Sequence, residues 1–582
     1  MTKYNFKYLS NVLKEFSSIF SIFLSLVTKR HFFFLFFFSV IVIIFESYTL
    51  AIVYDVSNSI LNKEFEINNS LLKLVLNYLG SKDPNSSLII LITLVSFIFF
   101  KNIFLLFIIY FKNNFFRKMI TKLSQNIFNK FMKQDYNFFL SRNSSELIAN
   151  ITNDVTVVLR GFDGIFNLLT ETLLISVIFL YLIYLDTIIA IVFLIGGIAF
   201  FIFFTFFTKK KLLKLSNERT YLNTNIIKDL QQSFSNFREI IIYASQKLFS
   251  DSINRKIKTY YSNITKTVIL SQLSRVLIEQ IFIILIVLIF LFINFFTTKN
   301  INDILPIFVV YLFAFMKVLP SLNKIIIETQ TYLYSKLFIK KLNNYLNLKD
   351  KNLIKNVNFQ SFNENLNFEN VTFYYDRSDR EILKNLNLTI KKNEKIGIVG
   401  KSGSGKTTIL NLIMGFLIPK DGNIFLDNQN LKDFLINWQN LISYVPQNIA
   451  LLDDTLKKNI TFCENNKDID FELLNSATKL SGLNEFIKNK SDGLNTILGE
   501  KGSKISGGEI LRIGLARAFY SKAEVFILDE FTSALDEKTE NEIIESINKI
   551  KKTFIIVSHK KNTLKHCDKI FELSEGSLTK IN

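Results

Sequence analysis

The stretch EKIGIVGKSGSGKTTIL, residues 394–410, decides how this 582-residue chain is read. An apolar run, IGIV, leads into Gly400, Gly403 and Gly405, after which Lys406, Thr407 and Thr408 open an apolar pattern at helical spacing. Glycine lets backbone N–H groups close around phosphate oxygens, and the start of a helix adds unpaired N–H groups of its own. Lys406 then reaches β- and γ-phosphate oxygens, Thr407 offers a hydroxyl to Mg2+, and Ser402 and Thr408 complete the phosphate-binding set. A strand before the loop and a helix after it are the context this motif requires, so the stretch predicts an α/β nucleotide-binding domain.

Downstream, VFILDE (525–530) is a short apolar strand ending in two acids. Such a pair is ordinarily an edge or capping feature. At this distance after a phosphate loop, Asp529 reads as the Mg2+ ligand and Glu530 as the group that polarises an attacking water. Upstream, residues 346–364 turn Asn- and Lys-rich, which marks a linker before a soluble domain over 365–582.

Residues 1–345 read as a membrane domain. A chain 49% hydrophobic with 61 Phe is too apolar for an ordinary soluble protein. Runs of spanning length cover 32–54, 88–111, 166–185, 187–207, 276–296 and, more weakly, 304–319, which predicts six spans. Residues 1–31, 112–160 and 209–266 hold five, eight and twelve Lys/Arg against three in 55–87, so both termini are expected in the cytoplasm. Positive-inside loops and anionic lipid absorb most of the +19 formal charge, which removes the case for nucleic acid. The segments between the second and third spans and between the fourth and fifth read as helical extensions into the cytosol. NNSLLKLVLNYLG (68–80) is too short to span and reads as a helix at the outer interface or packed on neighbouring spans. No cleavable signal peptide is expected in residues 1–31, and two cysteines, Cys463 and Cys567, imply no disulfide framework.

Four cations lie within or beside these spans. Counted from the outer ends of their spans, Lys101 and Lys317 are about 20 Å deep, and Arg275 and Lys324 about 30 Å, near the inner boundary. A mid-membrane charge costs about 2.5–3.5 kcal/mol on insertion scales, so these residues need partners or a purpose. One reading is that all four line a water-filled cavity for an anionic cargo. The other is local pairing: Glu171 lies at the depth of Lys101, Glu279 is one turn from Arg275, and Lys317 and Lys324 sit near the end of a short span. Pro320 between those two lysines is expected to bend the helix.

Between the phosphate loop and the acidic strand comes KISGGEILRIGLARA (504–518), whose Ser506, Gly507 and Gly508 resemble the signature of ATP-binding-cassette proteins. Ile505 and Glu509 stand where the usual motif has Leu and Gln. The remaining cassette motifs follow in family order. The resemblance implies that Tyr375 in VTFYYD stacks on adenine, Gln447 in YVPQN senses Mg2+ and the membrane domain, Asp536 in SALD crosses a dimer, and His559 in FIIVSHK is the switch histidine. In this family the phosphate loop of one copy is completed by the signature of another, which implies ATP and Mg2+ as cofactors and a homodimer. Six spans before one cassette resemble an exporter half-transporter in a bacterial inner membrane. QDYNFFLSRNSSEL (134–147) and SFSNFREIIIYASQ (233–246) fall where such exporters have coupling helices. A DNA-acting cassette does not fit the spans, and Glu530 with His559 argues against a non-hydrolysing regulatory cassette.

FFKNIFLLFIIYF (99–111), SRVLIE (274–279), KVLPSLNKII (317–326) and the short outer helix are similar to the PglK family of lipid-linked oligosaccharide flippases in bacterial N-glycosylation. That resemblance implies an anionic lipid-linked substrate, with Lys101, Arg275, Lys317 and Lys324 holding its pyrophosphate. Three would be Lys where the family has Arg, and so lack the bidentate fork. EINNS (66–70) suits an N-glycosylation acceptor. Export of other lipids, drugs or peptides is the competing expectation.

Overall fold

The computed structural model describes residues 29–62, 86–296, 301–350, 361–375, 380–499 and 502–581. The outer helix expected at 68–80, the EINNS pattern, residues 1–28 and most of the linker lie outside them. The chain folds as two compact units, Met1–Lys133 with Arg142–Lys349, and Gln134–Ser141 with Asp350–Asn582.

The first unit is helical: α1 (Lys29–Asn62) and α2 (Ser86–Met132), then the short α3 (Tyr136–Leu140), which belongs to the second unit, and α4 (Ser144–Ala149). A single π turn, Asn150–Asp154, joins α4 to α5 (Val155–Leu185). There follow α6 (Thr187–Ser235), α7 (Phe237–Ile242), α8 (Gln246–Phe296) and α9 (Ile301–Leu346). At 49 and 51 residues, α6 and α8 run about 75 Å, more than twice the roughly 30 Å of a bilayer core. Among the described residues, Phe32–Ser57, Ile92–Met132, Ser144–Leu185 and Phe308–Leu346 are long and apolar enough to cross a membrane. Their surfaces carry exposed Phe33, Phe37, Phe99, Phe100 and Leu106, which water would penalise and lipid would not. Continuous helix runs through Pro320, with the Ser321 hydroxyl donating to the Lys317 carbonyl at 3.1 Å.

Helices α5 and α9 touch through glycine. A Cβ at Gly161 would lie 2.0 Å from the Ser335 Oγ, and one at Gly164 would lie 2.9 Å from the Glu328 Oε2. Small residues at such positions let two helix backbones approach closely.

In the second unit, β1 (Asn365–Phe373), β2 (Leu383–Lys391), β4 (Asp421–Leu426) and β5 (Gln429–Asn430) form an antiparallel sheet in the order β2-β1-β4-β5. A second sheet orders β10 (Ser577–Lys580), β9 (Lys569–Ser574), β3 (Lys395–Val399), β8 (Thr553–Val557), β7 (Val525–Asp529) and β6 (Ile442–Val445). All its pairings are parallel except β9 with β10. Helices α10 (Lys406–Ile413), α11 (Gly507–Tyr520) and α12 (Glu537–Lys549) belong to this unit. Strands β8 and β7 are buried almost throughout, as parallel strands covered on both faces must be. Trp438 is fully buried, its ring edge-on to Phe362 and its Nε1 donating to the Ile413 carbonyl at 2.6 Å. Cys463 and Cys567 are free thiols, and burial pushes Cys567 up to about 12.

Gly161→Ala is expected to destabilise the first unit by about 1–3 kcal/mol through overpacking. A lower unfolding temperature in detergent, partly restored by adding Ser335→Gly, checks this.

Candidate nucleotide site and intramembrane charge cluster

Because β3, β8, β7 and β6 are parallel neighbours, their carboxyl ends share one edge of the sheet. Gly400 follows β3, His559 follows β8, Asp529 ends β7 and Gln447 follows β6. Four sequence-distant motifs are thereby brought together. The Lys406 ammonium donates to the carbonyls of Gly400 at 2.6 Å and Lys401 at 3.1 Å and lies 3.2 Å from His559 Nε2. That same nitrogen is 3.2 Å from Glu530 Oε1, while Gln447 Nε2 donates to Glu530 Oε2 at 2.6 Å. One imidazole nitrogen cannot accept from Lys406 and donate to Glu530 at once. Proton placement on His559 therefore selects which neighbour it holds.

Glu530 sits in the left-handed region, φ +50°, with its N–H donating to the Val557 carbonyl at 2.9 Å. A non-glycine residue held there costs about 1–3 kcal/mol, a strain that tends to persist at functional turns. Burial, and then the adjacent Glu530 charge, push the Asp529 carboxyl above its usual range, against the Tyr444 hydroxyl and Lys406. Tyr444 lies 3.5 Å from Asp529 Oδ2, at the outer limit of a hydrogen bond.

The loop itself fits a phosphate chain. Gly403 and Gly405 have φ of +79° and +106°, a Cβ at Gly403 would meet nothing within 4 Å, and the Ser404 hydroxyl is buried without a partner. Ser402 and Thr407 are exposed and Thr408 is buried. Tyr375 is exposed and edge-on to Phe373 at 5.1 Å, as a stacking platform needs. Tyr136 of α3 stacks on Phe416 at 4.9 Å within this unit.

Ser506, Gly507, Gly508 and Asp536 do not join the Lys406–Glu530 chain of contacts. They form a second cluster at the starts of α11 and α12, where a Cβ at Gly508 would lie 3.2 Å from the Ala534 carbonyl. Ser506 and Glu509 make a capping box. The Ser506 N–H and hydroxyl both donate to Glu509 Oε2, at 2.6 and 2.8 Å, and the Glu509 N–H donates back at 3.3 Å. The departure from Gln is thus structural, and the Ser506 hydroxyl proton is committed to Glu509. Asp536 caps α12, and the Thr539 hydroxyl and N–H hold its carboxyl below the usual range.

Three of the four intramembrane cations are paired, as in the local-pairing reading, though with other carboxylates than depth along the spans suggests. Lys101 and Lys317 both bind Glu46, Lys317 at 2.5 Å, and Lys324 binds Glu171 at 2.5 Å. Glu171 therefore serves Lys324, and the pairing with Lys101 is not made. Arg275 is exposed on α8 and makes no ion pair among the described residues, with Glu279 or otherwise. The Lys101 side chain is only 6% exposed, whereas those of Lys317 and Lys324 are 39% and 45% exposed, so the latter two can still reach a ligand. Glu46 is the residue that sequence reasoning passes over. A lone Glu within the apolar run VIVIIFESY is its signal, since an intramembrane carboxylate calls for an intramembrane cation.

Comparison with known proteins agrees with this architecture. The ABC transporter family matches residues 383–533 and the ABC transporter transmembrane region matches residues 31–319, together most of the chain. The chain is an ABC exporter half-transporter. This exporter is 27% identical over 482 residues to a putative export ATP-binding/permease protein of Rickettsia typhi, covering 81% of the chain and 82% of the relative. It is 28% identical over 470 residues to an ATP-dependent lipid A-core flippase of Wigglesworthia glossinidia brevipalpis, covering 79% and 80%. Over 243 residues it is 37% identical to the alpha-hemolysin translocation ATP-binding protein HlyB of Escherichia coli O6:H1, covering 41% of the chain and 34% of HlyB. Its fold is similar to that of a bacterial Atm1-family ABC exporter with ATP bound, with TM-score 0.77, 19% identity and 93% coverage of both chains. The exporter is a membrane protein with a cytoplasmic nucleotide-binding domain and a transport ATPase.

Glu530→Gln is expected to retain ATP binding but slow steady-state ATP hydrolysis at least about 100-fold. Lys406→Ala is expected to weaken ATP binding itself, and nucleotide titration beside a phosphate-release assay separates the two effects.

Proposed function

We propose that this ABC exporter works as a homodimer in a bacterial inner membrane and carries an amphiphile with an anionic head group, a polyprenyl-pyrophosphate-linked oligosaccharide fitting best. In the nucleotide site, Tyr375 receives adenine, Gly400, Ser402, Gly403, Gly405, Lys406, Thr407 and Thr408 hold the phosphates, and Thr407, Gln447 and Asp529 hold Mg2+. Bound ATP supplies the phosphoryl bond to be cleaved. Glu530 orients or deprotonates the attacking water, and His559, able to hold either Lys406 or Glu530, reports which state the site is in. Ser506, Gly507, Gly508 and Asp536 are held apart from this network, as expected of groups that serve a second copy. Closure of two such domains would be transmitted through α3 and α7. The α7 region leaves Phe234, Phe237, Ile242 and Tyr243 exposed, an apolar tip that a second copy would cover.

The observation carrying the substrate reading is that Lys317 and Lys324, partly exposed on one face of α9, each rest on a mostly buried carboxylate. Two ammonium groups on Glu46 leave a net positive charge that a phosphate can take up. Lys remains a competent phosphate ligand, though a less directional one than Arg. Export of other lipids, drugs or peptides uses the same cassette and needs no such charge.

Reconstituted in liposomes with polyprenyl-pyrophosphate lipids, Lys317→Ala and Lys101→Ala, each of which neutralises the Glu46 cluster, are expected to slow flipping at least fivefold. Glu46→Gln, which removes the negative charge shared by Lys101 and Lys317, is expected to tighten substrate binding. ATPase stimulation by drugs but not by these lipids, or unchanged flipping in both lysine variants, would overturn the substrate while leaving the ATPase intact.

A further inference from the structure

Three buried polar atoms without hydrogen-bond partners converge on one cavity in the first unit: Ser216 Oγ and Arg219 Nε from α6 and Gln330 Nε2 from α9. The cavity holds about 210 Å³. Unsatisfied buried donors are few in folded proteins, because each forfeits hydration worth about 1–3 kcal/mol, and three around one space call for an occupant. The wall settles the sign of its charge. Arg160 from α5 joins Arg219, and among the described residues no Asp or Glu lines the cavity. A neighbouring cavity of about 490 Å³ shares Arg160, Arg219 and Tyr334 but also carries two carboxylates, Glu146 and Asp154, which share the one Lys341 ammonium at 3.5 and 3.3 Å. Of the two, the smaller space alone has guanidinium groups with no carboxylate in its described lining.

We propose that this cavity is a binding site for a small phosphate or carboxylate anion, distinct from the nucleotide loop and from the Glu46 cluster. The Arg219 guanidinium lies over the Tyr334 ring, 4.5 Å from its centroid, and its Nε is buried without a partner and open to donate into the cavity. Gln330 and Ser216 supply neutral donors, and Leu212, Leu215, Val268 and Ile327 leave an apolar side for a short carbon body. Charge-assisted donors around an anion bind it about twice as strongly as neutral ones. Ser216 and Arg219 follow the apolar run 187–207 by roughly 13–18 Å of helix, so the ligand reaches them from the cytosol or as a lipid head group at the inner surface.

The test uses the full chain carrying Lys406→Ala, so that phosphate binding by the nucleotide loop is weakened, and the Arg219 and Gln330 variants in that background isolate the cavity. Calorimetric titration with sn-glycerol 3-phosphate in detergent, and with inorganic phosphate, is expected to show saturable binding that Arg219→Gln weakens at least tenfold and Gln330→Leu at least threefold, with Arg219→Lys intermediate. Tyr334→Phe keeps the ring and should keep binding. Nanodiscs with phosphatidate in a phosphatidylcholine background separate the sources: if the natural ligand is a head group, phosphatidate displaces glycerol phosphate, and if it is a soluble anion it does not. Absence of saturable binding in the Lys406→Ala chain, or equal binding in all the variants, overturns the site. So does an Arg219→Gln chain whose unfolding temperature falls by the same amount with and without phosphate, since the guanidinium would then only stack on Tyr334.

Discussion

The parallel pairing of β3, β8, β7 and β6 is the constraint on which the catalytic half depends. Parallel strands all finish on one side, so residues separated by up to 159 positions, Gly400 to His559, arrive at a common edge without any one of them being adjacent in sequence. There the Lys406 ammonium, the His559 imidazole, the Glu530 carboxylate and the Gln447 amide contact one another in series. Each link is short and polar, and each can be remade when a phosphate chain enters the loop. The strained backbone at Glu530 and the raised Asp529 carboxyl fit a site held ready for a divalent cation, whose charge would favour both carboxylates in their ionised form.

A different rule governs the membrane half. A charge removed from water persists only with a partner, and the helices answer this by bringing Glu46 from α1, Lys101 from α2 and Lys317 from α9 to one point. Close approach of α5 and α9 through Gly161 and Gly164 supports a second polar layer, in which Lys112 reaches Asp163 at 2.6 Å and Asn167 bridges Lys112 and Glu328 at 2.8 Å. The cations are thus both structural and available: Lys101 is sealed, while Lys317 and Lys324 keep an open side.

The nucleotide motifs are legible in the sequence because each is contiguous and its chemistry demands particular residue types: glycines at positive φ, a lysine, a hydroxyl, an acid after an apolar strand. The capping role of Glu509 is also local, a Ser-x-x-Glu pattern, yet its capture of the Ser506 hydroxyl emerges only from the geometry. Glu46 and the Glu171–Lys324 pair are not legible, because depth along a helix says nothing about its rotation or about which neighbour it faces. Counting residues places Glu171 level with Lys101, but helix packing brings Lys324 to it.

Sequence alone determined the order of domains, the identity of the cassette motifs and the presence of intramembrane charge, since these follow from composition, local patterning and the chemistry of short contiguous segments. Only the tertiary structure decided which charges meet, that His559 stands between Lys406 and Glu530, and that Ser216, Arg219 and Gln330 share a cavity. Those outcomes depend on the relative rotation and spacing of elements far apart in the chain, which are fixed by packing across the whole fold and by no segment of it.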